Sequence, residues 1–140
     1  MIISPVTAMF AHITLGSNNL PRAIQFYDAL LSGLNICRRP SPEDNVLVCY
    51  EGEDATLPKF FICTPFNDNV ASAGNGTMVA FQARSQQTVD ESYQAGLKNG
   101  GTDEGPPGER PNYANGYYGA YLRDPDGNKV HIVFRGDLSL

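Results

Sequence analysis

His12 and His131 are the two histidines of this 140-residue chain and its clearest candidates for chemistry. An imidazole titrates near neutral pH, so each ring could act as a general acid or base or, when neutral, bind a metal ion. The alternative is a ring that is hydrogen-bonded or solvated and has no part in function. Both interpretations fit an isolated histidine, so the elements that position the rings must be considered.

Both histidines fall within predicted strands. Side chains alternate between the two faces of a strand, which places His12 and Ile13 on opposite faces of the strand over 9–15. The same alternation turns His131 away from the most apolar face of the strand over 128–134. We therefore expect both imidazoles to point away from the face that packs on the helices, and we predict them as the catalytic residues.

The first half of the chain predicts one helix among strands. After the strand over 9–15, polar side chains at 17–19 can cap a helix whose apolar residues recur at helical spacing up to Leu34. Two further strands are predicted over 46–50 and 59–64.

The second half repeats this order. A strand is predicted over 76–83, Ser85 can cap a second helix, and Gly100 can end it. A stretch rich in glycine and proline, 102–116, is expected to be a loop. The strands over 117–123 and 128–134 follow.

Asp124, Pro125, Asp126 and Gly127 predict a tight turn between the last two strands. Proline fixes φ in the second position of such a turn, and glycine accepts a positive φ at its end. This turn is a strong signal for structure and carries little information about chemistry.

The two halves also match each other weakly in sequence, which supports one domain over 1–140 with modules over about 9–65 and 76–135. Shifts of 66 and 71 residues bring similar positions together. These are Tyr27 with Tyr93, Leu31 with Leu97, His12 with Met78, Tyr50 with Tyr121, and Phe60 with His131.

Composition excludes several classes of partner. The net charge is −5, and the only adjacent basic pair is Arg38 and Arg39, so a nucleic-acid partner is not expected. Apolar runs are far shorter than the ~20 residues that span a bilayer, which argues against a membrane partner and for a cytoplasmic protein. Three cysteines without CxxC spacing favour free thiols over a disulfide framework or a thiolate zinc site.

Four segments carry a family resemblance. They are His12-Ile-Thr-Leu, the helix sequence NLPRAIQFYDALL from Asn19, Gly76-Thr-Met-Val-Ala-Phe, and the hairpin sequence YGAYLRDPDGNKV from Tyr118. Together they resemble the vicinal oxygen chelate superfamily of glyoxalase I, bleomycin resistance proteins and extradiol dioxygenases. The resemblance implies an α+β fold of two βαβββ modules that form a curved mixed-sheet cup, usually within a homodimer.

The resemblance also implies metal ligands on the first and fourth strands of each module, at positions that match His12, Phe60, Met78 and His131. Phe60 and Met78 are poor donors for a hard or borderline divalent ion, and His131 replaces the usual glutamate. Zinc or nickel could bind loosely to the two histidines, but we expect no metal cofactor. The four side chains are expected to face one cavity.

Further ligand-binding residues are predicted around these positions, because the repeat places Tyr50 and Tyr121 beside them and the glycine-rich loop supplies a rim. The predicted ligand-binding residues are Tyr50, Phe60, Met78, Tyr113, Tyr121 and Arg123, with Tyr117 a further rim candidate. Three functions fit: metal-free binding of a small organic molecule, a metal-dependent lyase, isomerase or dioxygenase of the glyoxalase type, and a metal-free enzyme with a histidine base.

Overall fold

Strand, helix and three strands follow one another twice in the computed structural model, which describes residues 8–53 and 57–136. The first module contains β1 (His12–Gly16), α1 (Leu20–Ser32), β2 (Ile36–Arg39), β3 (Leu47–Gly52) and β4 (Lys59–Cys63). The second module contains β5 (Met78–Gln82), α2 (Gln86–Lys98), β6 (Thr102–Glu109), β7 (Tyr118–Arg123) and β8 (Lys129–Phe134).

Each module builds one four-stranded mixed sheet. The strand order is β1-β4-β3-β2 in the first sheet and β5-β8-β7-β6 in the second. In both sheets the first strand runs parallel to the last, and the other neighbours are antiparallel. The predicted α+β fold of two βαβββ modules is therefore confirmed.

Both helices begin where the sequence predicts. Asn19 caps α1 by accepting a hydrogen bond from the backbone N–H of Arg22 at 3.0 Å, and Ser85 caps α2 by accepting one from Thr88 at 3.1 Å. In the described residues, no helix has the length and apolarity required to cross a membrane.

Strands β2 and β6 were not predicted. β2 has only four residues, and two of them are arginines, so it lacks the apolar alternation that marks a strand. β6 contains Gly105, Pro106, Pro107 and Gly108, which are rare inside strands. It forms because it is an edge strand whose register shifts twice along β7, so the prolines need not take part in a regular ladder.

Polar contacts join the two modules at the turn between β7 and β8. The buried Tyr27 hydroxyl of α1 donates to a carboxylate oxygen of Asp124 at 2.6 Å. The Asn128 side-chain amide donates to the carbonyl oxygen of Gly16 at 3.0 Å, and the Asn18 N–H donates to Asp126 at 2.9 Å. Apolar residues of both modules form one hydrophobic cluster behind these contacts.

The sheets bury the faces that pack on the helices. We call the opposite side of each sheet its outer face. Register and burial place His12, Thr14 and Phe61 on the outer face of the first sheet. They place Met78, Ala80, Lys129, His131 and Tyr121 on the outer face of the second sheet.

Candidate functional site

His131 lies at the centre of an aromatic stack on the outer face of the second sheet. Although it is on the side away from the helices, its side chain is fully buried. The Tyr121 ring stacks on it with a centroid distance of 4.0 Å and an interplanar angle of 9°, and the Tyr117 ring lies nearly parallel at 5.8 Å. Two tyrosines of the same module therefore remove the imidazole from water.

Gly119 of β7 leaves the space in which the imidazole lies. A Cβ atom built on Gly119 would collide with Cε1 of His131 and would lie 3.0 Å from the carbonyl oxygen of Ile132. Any side chain at this position would displace the ring, so the glycine is required by close approach.

Hydrogen bonds fix the tautomer of His131. Its Nδ1 lies 2.8 Å from the carbonyl oxygen of Ala120, which can only accept, so Nδ1 carries the proton. Nε2 is then an acceptor, and the Tyr117 hydroxyl donates to it at 2.7 Å. Burial lowers the pKa of His131, and the positive charges of Arg110, Lys129 and Arg135 lower it further. The imidazole is thus held neutral, with both nitrogens engaged.

The tyrosines of the stack stay protonated. Burial is the main cause that raises the pKa of Tyr117, and Arg135 opposes the rise. Burial raises the pKa of Tyr121 to about 12, with added contributions from Tyr113 and Tyr117. Tyr113 packs edge-on against Tyr117 at 5.2 Å and is 60% exposed, so it forms the open rim of the stack.

Three cations surround the stack. The Lys129 ammonium lies 5.0 Å from the centroid of the Tyr121 ring, and the Arg110 guanidinium lies 5.7 Å from the same centroid. The Arg135 guanidinium lies 5.5 Å from the centroid of Tyr117. These distances fall within the range of cation–π attraction.

Strand β5 lies beside the aromatic stack on the outer face of the second sheet. Ala80 pairs with His131, and Met78 pairs with Lys129. Both are exposed, and the small Ala80 side chain leaves room beside the stack. We call the group formed by Met78, Ala80, Tyr113, Tyr117, Tyr121 and His131 the stack surface.

His12 has different surroundings. Its ring is exposed on the outer face of the first sheet, where it contacts Phe61 edge-on at a centroid distance of 5.2 Å. Within residues 8–53 and 57–136, the ring contacts of His12 and His131 share no residue. A cavity shared by the two imidazoles therefore stays a prediction.

Phe60 and Tyr50 were expected on the same face as the histidines, and this orientation was wrong. Both are buried on the helix side of the first sheet. Phe60 packs against Phe81 of β5 at 5.1 Å, and the Tyr50 hydroxyl donates to Asp28 at 2.9 Å. They line a cavity of about 270 Å³ that reaches β5, where Ala80 of the stack surface also lines it.

The error is one residue of register. His12 pairs with Lys59, and its counterpart Met78 pairs with Lys129, so β4 and β8 correspond at a shift of 70 rather than 71. Phe61, not Phe60, is therefore the counterpart of His131. Two consecutive phenylalanines leave the alternation of β4 undecided in the sequence.

Arg123 lies on the outer face of the second sheet but is engaged by its own module. Its Nε atom donates to Glu104 at 2.8 Å, and its guanidinium also donates to the carbonyl oxygen of Gly127 at 3.1 Å. These bonds brace the hairpin, and its predicted role in ligand binding stays a prediction.

The comparisons agree with this architecture. The model of the Glyoxalase/Bleomycin resistance protein/Dioxygenase superfamily matches residues 9–132. A glyoxalase/bleomycin resistance protein from Albidiferax ferrireducens T118 is 40% identical over 91% of this chain and 99% of its own, with a TM-score of 0.79. The chain belongs to this superfamily.

More distant members share the fold. A lactoylglutathione lyase from Agrobacterium tumefaciens has 20% identity, covers 94% of this chain and 96% of its own, and gives a TM-score of 0.63. A glyoxalase-related enzyme from Fulvimarina pelagi has 22% identity, covers 90% of this chain and 87% of its own, and gives a TM-score of 0.66. The search of curated proteins gives no match.

The metal that the superfamily implies does not fit the donors found here. His131 has its Nδ1 proton bound to a carbonyl and its Nε2 lone pair bound to Tyr117, so coordination would require Tyr117 to leave. Phe60 is on the other face, and Met78 offers only a thioether. Among the described residues, His, Cys, Asp and Glu form no group of three that could hold a metal ion.

Sequence reasoning missed the cations of this site. Lys129 and His131 are two residues apart in β8, and Arg135 follows the strand in the same alternation after Val133, so alternation could have placed them on one face. Arg110 follows β6, which was predicted as a loop, so no sequence signal placed it near the stack.

Proposed function

We propose that the chain binds a small organic molecule on the stack surface without using a metal of its own. The observation that carries this proposal is the fully buried, neutral His131 fixed between two tyrosines and bonded to Tyr117. Burying an imidazole is costly unless its polar atoms are bonded, and here both are. The fixed rings and the exposed side chains of Met78 and Ala80 offer a ligand apolar surface beside the polar Tyr117 and His131 pair.

Binding is favoured over direct proton abstraction from a ligand by His131. A base needs a free lone pair, and that of His131 already accepts the Tyr117 proton. The names of the relatives, which include a lactoylglutathione lyase and a bleomycin resistance protein, support a small molecule as the ligand and leave its reaction open.

A metal-free enzyme is the second candidate, and the Tyr117 to His131 hydrogen bond favours it. In that case His131 would take the phenolic proton, and the Tyr117 oxygen would act on the bound molecule. Because burial raises the pKa of Tyr117, this transfer is unfavourable without a ligand. Self-association as a homodimer and a cytoplasmic location complete the proposal.

Thermal melts of the purified protein with a library of small organic molecules test the proposal. We expect some compounds to raise the melting temperature, since a ligand that binds only the folded state stabilises it. Tyr117→Phe keeps the ring but removes the hydroxyl, and it should weaken the binding of those compounds roughly tenfold. Tyr118→Phe is the matched control, because it removes a hydroxyl that donates to Asp90 of α2 instead of to the stack, and it should leave the binding of those compounds unchanged. Hits that bind Tyr117→Phe and the parent protein equally would contradict the site.

A further inference from the structure

We propose that the molecule bound on the stack surface is an aromatic carboxylate, whose charge is held by Arg110 and Lys129 beside Tyr121. This inference rests on the proposed function and specifies the chemical class of its ligand.

The three cations are an unusual concentration in an acidic protein. The chain has ten Lys and Arg residues and a net charge of −5. In the described part, five of the ten form ion pairs: Arg22, Arg38, Arg39, Lys59 and Arg123. Three of the other five surround the stack, and the remaining two are Arg84 and Lys98.

Within 8–53 and 57–136, no carboxylate forms an ion pair with these three cations. Arg110 donates to two backbone carbonyls, those of Glu109 at 3.3 Å and Pro106 at 3.0 Å, which fix the guanidinium and leave other N–H groups available. Lys129 and Arg135 contact tyrosine rings instead of carboxylates in the residues described. Glu104 is already paired with Arg123.

Two of the cations approach the same ring. The Arg110 guanidinium and the Lys129 ammonium both lie within 6 Å of the Tyr121 centroid, whereas Arg135 approaches Tyr117, and all three lower the pKa of the neighbouring His131. The like charges of Arg110 and Lys129 repel one another beside Tyr121, and an anion bound there would relieve that repulsion. A carboxylate is the best match, because guanidinium groups bind its two oxygens in a planar arrangement.

The rest of the ligand must be apolar and flat. Tyr113 is 60% exposed and Met78 is 42% exposed, and Ala80 adds an open apolar position beside the stack. Aromatic side chains pack best with other rings, in offset or edge-to-face geometry. An aryl ring on this surface would place an attached carboxylate toward the cations.

Calorimetric titration with naphthoate and its uncharged analogue naphthamide tests the inference. Naphthoate should bind, and naphthamide should bind at least tenfold more weakly. Lys129→Met and Arg110→Gln should each lower the affinity for naphthoate about tenfold. Lys98→Gln is the matched control, since it removes the same charge from an exposed residue of α2 and should leave binding unchanged. Raising the salt concentration should lower the affinity for naphthoate more than the affinity for naphthamide.

The failure of this inference is distinguishable from failure of the proposed function. If neutral library compounds bind, lose affinity in Tyr117→Phe and bind equally well to Lys129→Met, the site exists and the carboxylate assignment is overturned. Absence of naphthoate binding at millimolar concentration, or equal losses in Lys98→Gln and Lys129→Met, also overturns it. If no compound of either kind binds, both proposals fail.

Discussion

A buried histidine links pH to stability in this chain. The pKa of His131 is lowered in the folded state, so the folded protein binds a proton less readily than the unfolded chain does. The stabilisation from the neutral ring is complete above the ordinary histidine pKa of about 6.5 and is lost as the pH falls through the lower folded value. Acid therefore favours unfolding through this residue.

We predict that the free energy of unfolding falls as the pH is lowered from about 7 to 5, and that His131→Gln removes part of this dependence. The variant should also cost about 1 to 3 kcal/mol at neutral pH, because its stack and buried hydrogen bonds are disturbed. Urea denaturation at several pH values measures both effects.

His12→Gln is the control for this experiment, because the His12 ring is exposed and its removal leaves the core intact. Identical pH profiles for His131→Gln and the parent protein would show that His131 does not titrate differently on folding.

At the scale of single elements, the turn between β7 and β8 follows directly from its sequence. Gly127 has φ of +89°, as the Asp-Pro-Asp-Gly order predicts, and its N–H donates to the carbonyl oxygen of Asp124 at 2.9 Å. An added Cβ would meet no atom within 4 Å, so a substitution here reports on backbone strain alone.

Gly127→Val should therefore lower the free energy of unfolding by about 1 to 3 kcal/mol, since a β-branched residue disfavours positive φ. Gly127→Asn should cost much less, because asparagine tolerates this conformation. Chemical denaturation of the two variants gives the comparison. Equal losses would mean that something other than φ is responsible.

Sequence patterns predicted those elements that carry their own signals. Both helices had capping residues and helical spacing, and the last hairpin had its turn. β2 and β6 lacked apolar alternation, because one is short and charged and the other is an irregular edge strand. The site was predicted only in part for a related reason. His131, Tyr121 and Met78 follow from alternation, whereas the position of Phe60 required a register that only pairing with β1 and β3 decides.

At the scale of the whole molecule, both sheets leave their outer faces uncovered by this chain's helices. Met78 is exposed on the outer face of the second sheet, and Phe66 and Val70 are exposed in the connection between the modules. A second copy of the chain that covered these side chains would remove apolar surface from water.

We predict a homodimer with two-fold symmetry, the commonest closed arrangement of identical chains. Sedimentation equilibrium at micromolar concentration should give twice the mass of the single chain. Phe66→Ser is a suitable probe of the connection between the modules, because its ring is fully exposed and contributes nothing to the core. A single-chain mass for the parent protein would contradict the prediction.

The bond between Tyr27 and Asp124 has a consequence for how the two repeats can exist. It joins the helix of one module to the turn of the other, and Asp124 is also bonded to Asn128. If the halves were expressed as separate chains, the Tyr27 hydroxyl of one half and the Asp124 carboxylate of the other would lose the hydrogen bond between them. We therefore predict that neither half folds by itself, although the two share one topology, and that amide exchange gives the most protected amides of both modules the same free energy of opening.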